Sequence, residues 1–172
     1  EGDGATERAL RIERLLREGK PMAALDALPR EGLPLWRGRV ALALGWEERA
    51  EAALREATRL AGRRERALAW LLLGELEAGK GQAEAALEAV QRAGREWPCS
   101  TVLARAGWGA LRAGRREEAG ELFRRALAVG ESPWALLGQR WLARDGAGVE
   151  AMTERLPGFA PALEVLARVR LE

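Results

Sequence analysis

The chain has no histidine, no tyrosine and no asparagine. Without histidine the commonest general base and metal ligand is missing, and no nucleophile–base pair assembles in the usual way. Aspartate occurs only at Asp3, Asp26 and Asp145. The single cysteine, Cys99, excludes an internal disulfide and any cysteine cluster for metal. Beside Pro98 it reads as a small apolar filler, with an intermolecular or regulatory thiol as the other reading. The Gly79-Lys80-Gly81 stretch lacks the glycine spacing of a phosphate loop. No apolar run approaches the roughly 20 residues that span a bilayer. These absences point away from an enzyme, a cofactor, a metal centre and membrane insertion.

Charge is balanced. There are 28 basic and 26 acidic residues, a net charge of +2. Phosphate binding needs a clustered positive excess, so this balance argues against a nucleic-acid surface. The doublets Arg63-Arg64, Arg115-Arg116 and Arg124-Arg125 have glutamates nearby and read as solvated helix faces. Lysine occurs only at Lys20 and Lys80, which reads as a coding bias toward arginine. Missing asparagine, with glutamine only at positions 82, 91 and 139, fits a thermophilic source, because amides are thermolabile. The chain starts at Glu1 without an initiator methionine, which reads as a removed leader or a trimmed chain. Both a cytoplasmic and an exported location stay open.

What the chain does have is a repeat. Gly38 pairs with Gly45, Gly74 with Gly81 and Gly107 with Gly114, seven residues apart each time. Ile12 with Gly19 and Gly138 with Asp145 keep that spacing imperfectly. Five residues past the second member stands a small residue, at Ala24, Ala50, Ala86 and Ala119, a pattern that Glu150 breaks. Four residues on comes a larger apolar side chain, at Leu28, Leu54, Val90 and Phe123. A further alanine follows at Ala57, Ala93 and Ala126. The leading glycines succeed one another at 36, 33 and 31 residues.

This spacing predicts antiparallel helix pairs. The first glycine lies where the second helix crosses closely, and the second ends the first helix in a left-handed conformation. The larger residue shares the face of the small alanine four positions earlier. Eleven helices are expected, near 5–18, 21–28, 33–44, 46–61, 64–79, 82–95, 99–113, 115–129, 132–144, 147–156 and 159–171. Glu1 to Gly4 reads as frayed, and no period-two pattern marks a strand. Ser100 and Ser132 stand where helix caps belong.

These residues resemble the tetratricopeptide repeat, whose pattern is W-x2-L-G-x2-Y, then A-x3-F, then P, over about 34 residues. Residues 67–99 match at Trp70, Leu73, Gly74, Ala86, Val90, Ala93 and Pro98, and residues 100–132 at Leu103, Gly107, Ala119, Phe123 and Ala126. Residues 131–156 carry Trp134, Leu137, Gly138 and Trp141 before the pattern decays. Residues 31–64 keep Gly38, Ala50, Leu54 and Ala57, and residues 5–30 are a half-match. The resemblance implies an all-α fold in a single domain over 1–172. That fold is an alpha-alpha superhelix, a right-handed solenoid of about five helix pairs, with a capping helix over 159–171.

It also implies a non-enzymatic scaffold that holds a protein or peptide in a concave groove. In this family the residue after the leading glycine faces that groove. With the residues three before the glycine on the same face, and Arg112 one turn past Trp108, the candidate groove is Leu35, Arg39, Leu71, Glu75, Trp108, Arg112 and Gln139. The clamp with which some members hold a terminal carboxylate needs lysine and asparagine at such positions, and neither stands there here. Trp108 carries two readings, an exposed anchor or a ring buried by later helices, and both stand. Trp70, Trp134 and Trp141 occupy core positions of the pattern. Trp97 is expected between repeats, and Trp36 and Trp46 in edge packing or oligomer contacts. The alternative function is a homo-oligomeric assembly subunit or accessory protein of a cell-envelope, secretion or pilus-type machine.

Overall fold

The computed structural model describes residues 2–144 together with 147, 148 and 151. Nine helices run through the described residues: α1 Gly2–Arg17, α2 Pro21–Asp26, α3 Pro34–Ala43, α4 Glu47–Leu60, α5 Arg63–Gly79, α6 Ala83–Glu96, α7 Ser100–Arg112, α8 Arg116–Val129 and α9 Pro133–Leu142. No strand occurs among these residues. No described helix is long and apolar enough to cross a membrane. The expected capping helix at 159–171 lies outside the described residues, as does most of the helix expected at 147–156.

The chain divides into two compact units, Glu1–Trp97 and Pro98–Glu172. In the first, α1–α2, α3–α4 and α5–α6 are successive helix pairs, and α4 packs against α5. In the second, α7 pairs with α8, and α9 packs against both.

One tight turn closes all four described pairs. At Gly45 the N–H donates to the Leu42 carbonyl at 3.0 Å, and the Trp46 N–H to the Ala41 carbonyl at 2.8 Å. The same two bonds recur around Gly19, Gly81 and Gly114. Each of these glycines has positive φ, between 69° and 77°, which a side chain disfavours. The fifth turn departs from the expected spacing. Arg144, one residue before the expected position, is left-handed at φ 57°, and its N–H donates to the Trp141 carbonyl at 3.1 Å; the expected Asp145 lies outside the described residues.

The leading glycines sit against the larger apolar residues, as the spacing predicts. A Cβ on Gly38 would lie 2.7 Å from Leu54 Cγ, and one on Gly74 2.8 Å from Val90 Cγ1 and 3.1 Å from the Ala86 carbonyl. Phe123 serves two glycines at once: a Cβ on Gly107 would meet its ring at 2.5 Å, and one on Gly138 would enter the same ring from α9. The alanines of the second helices, Ala24, Ala50 and Ala119 with Ala57, Ala93 and Ala126, are fully buried, and Ala86 nearly so. Ile12 replaces the glycine of the first pair and is itself core, packed with Ala24 and Val40.

Three local expectations change. α1 begins at Gly2, so residues 2–4 are helical and not frayed. α2 stops at Asp26, short of the expected 28, because Leu28 precedes Pro29 and is held away from helical dihedrals. Ser132 does cap α9, its Oγ accepting from the Ala135 N–H at 3.3 Å, whereas α7 is capped at Cys99 and Ser100 is its first helical residue.

Ion pairs tie neighbouring helices. Arg37 on α3 reaches Glu56 on α4 at 2.7 Å. Arg66 on α5 reaches Glu96 on α6 at 2.8 Å and also donates to the Ala61 carbonyl at 3.1 Å. Glu51 on α4 joins Lys80, just past α5, at 2.6 Å and Arg55 at 2.8 Å. The Lys80 hydrogen bond, backed by Arg55, lowers the Glu51 carboxyl below its ordinary value despite some burial.

The glycine contacts are directly testable by urea denaturation. Gly107→Ala and Gly138→Ala each push a methyl into the Phe123 ring and are expected to cost about 1–3 kcal/mol. Gly79 on α5 has no heavy atom near its Cβ position, so Gly79→Ala should be neutral or stabilise by up to about 1 kcal/mol. Equal effects at all three positions would contradict the close-packing account.

Candidate functional site

Apart from Arg112, the candidate groove residues fall in two rows on the first helix of each pair. Three residues before each leading glycine stand Leu35 and Leu71 in the first unit, and Ala104 and Ala135 in the second. All four are essentially buried, Leu35 at 2% and Leu71 at 1% exposure. Leu35 belongs to the core that also holds Leu54, Ala57 and Leu73. Leu35 and Leu71 therefore support the surface from beneath and offer none of their own. One residue after the glycine, side chains remain accessible. Glu13, Arg39, Trp108 and Gln139 are half-buried, and Glu75 is exposed.

In the first unit this row is internally linked. Arg39 Nη1 donates to Glu13 Oε2, joining α3 to α1, and Arg17 Nε donates to Glu13 Oε1 at 3.0 Å. The Arg39 guanidinium also lies 4.7 Å from the centre of the Trp36 ring. Burial raises the Glu13 carboxyl, but the hydrogen bonds and charges of Arg39 and Arg17 outweigh it and hold the group below its ordinary value. Arg39 is thus held in one orientation by a carboxylate and an aromatic face together, with its side chain still 30% exposed.

In the second unit Trp108 is a partly packed ring that keeps some exposure. It is half-buried, edge-on to Phe123 at 5.5 Å between centroids and tilted against Trp141 at 6.5 Å. Its Nε1–H donates to the Trp134 carbonyl at 3.1 Å. Gln139 stands on α9 beside a shallow cleft toward α8, lined also by Gly120, Leu136 and Leu142. Arg112 closes α7, and its side chain lies outside the described part.

The tryptophans follow a rule that residue-type reasoning missed. All seven are half-buried, and an arginine lies over the ring of five: Arg39 on Trp36, Arg49 on Trp46, Arg64 on Trp97, Arg92 on Trp70 and Arg116 on Trp141. Such pairs occur roughly once per 70–80 residues, so five in a chain of 172 residues are about twice the ordinary number. Trp70 and Trp141, expected as core, are rings buried on one side and lidded by a cation on the other. Two of the pairs were readable as Trp-x2-Arg, because residues three apart share a helix face. The other three come from different helices and carried no sequence signal.

No family model matches the sequence, and no curated protein is significantly similar to it. Among solved structures, the crystal structure of a thermophilic tetratricopeptide-repeat protein from Thermus thermophilus matches with a TM-score of 0.66. The match covers 97% of this chain and 99% of that one, at 21% identity. This chain has the tetratricopeptide-repeat fold.

The contacts of Trp108 and Glu13 can each be tested by substitution. Trp108→Phe keeps an aromatic edge on Phe123 and loses one hydrogen bond, an expected cost of about 1 kcal/mol. Trp108→Ala removes the ring, and its cost should be clearly larger, about 2–3 kcal/mol for a half-buried aromatic; an unchanged denaturation midpoint for it would show the ring to be idle. Glu13 has a lowered folded-state pKa, so its stabilisation is complete above the unfolded value of 4.5 and fades as pH falls through the folded one. The melting temperature of Glu13→Gln should therefore lie below wild type near neutral pH, and the two curves should converge on acidification. Parallel curves across the whole range would argue against the Arg39 and Arg17 pairing.

Proposed function

We propose that this chain is a non-enzymatic scaffold that binds a peptide or protein segment along the first helices of its repeats. Arg39 and Glu75 are the contacts of the first unit; Trp108, Arg112 and Gln139 are those of the second. Leu35 and Leu71 act as the packed floor beneath them. One observation carries this reading. The residue after each of the leading glycines Gly38, Gly74, Gly107 and Gly138 stays accessible and carries a charged, amide or aromatic side chain, while the residue three before each of those glycines is buried. Within each unit, accessible polar and aromatic groups above packed helices are what recognition of a segment needs. Held by Glu13 and Trp36, Arg39 would lose little side-chain entropy on engaging a partner. The tetratricopeptide-repeat fold is consistent with this use, but a fold alone does not fix a function, and the accessible row supplies the support.

The test is capture of a cross-linked partner from source lysate, comparing wild type with the double variant Arg39→Ala/Glu75→Ala. Trp108 is left intact because its packing would confound folding. Recovery should fall about tenfold or more, as expected for the loss of at least about 1.4 kcal/mol of binding, with the helical circular dichroism signal unchanged. Equal recovery would reject this surface. Light scattering separates the assembly-subunit alternative: a scaffold keeps one mass over a range of concentrations, and a rising mass would favour the assembly reading.

A further inference from the structure

We draw no further inference here: the strongest candidate, the shallow apolar-lined cleft between α8 and α9 bounded by Gly120, Leu136, Gln139, Leu142 and Ala143, has nothing among the described residues to show what covers it.

Discussion

Helices in this protein approach one another through a glycine on one and a larger apolar side chain on the other. Gly38 against Leu54, Gly74 against Val90, and Gly107 with Gly138 against Phe123 are one device used repeatedly. A Cβ at any of these glycines would stand closer to its neighbour than packed atoms allow, so the spacing between helices is set there. The buried alanines of the second helices continue the close contact along the crossing. Glycine inside a helix is costly by itself. It is retained because a side chain at that place would force the backbones apart and open the core on either side.

Around these contacts the surface is bound together mainly by arginine. Arg37, Arg55 and Arg66 pair with glutamates on the same or a neighbouring helix, and five more arginines cover tryptophan faces. Exposed ion pairs contribute little individually. A guanidinium lying over an indole is different in kind, because it removes apolar ring surface from water while its edge stays free to donate hydrogen bonds. A chain with many half-buried tryptophans can in this way avoid large exposed aromatic patches.

The same packing separates buried from accessible positions on the first helices. Leu35 and Leu71 turn inward because the first helices bury that face; the residues one past the glycine sit a turn further along and stay accessible. Arg39 and Trp108 then become ordered by different means, a carboxylate and a ring in the first unit, a carbonyl and two rings in the second. Side chains ordered in advance are suited to binding because less freedom is lost on contact.

The helix pairs, their left-handed glycine turns and the glycine–apolar crossings were all legible from residue spacing, because each depends on groups separated by a fixed number of residues along a regular helix. Departures from the period arose where Pro29 shortened α2 and where Arg144 became left-handed one residue before the expected turn position. Which candidate groove residues remain accessible was decided only in three dimensions: Leu35 and Leu71 are apolar in either setting, and the facing helices determine whether they meet water or core. The hold on Arg39 by Glu13, the lodging of Phe123 between two glycines and three of the arginine–tryptophan pairs join residues from different helices. Periodicity constrains one helix at a time, and the partners across a helix boundary depend on how the pairs stack.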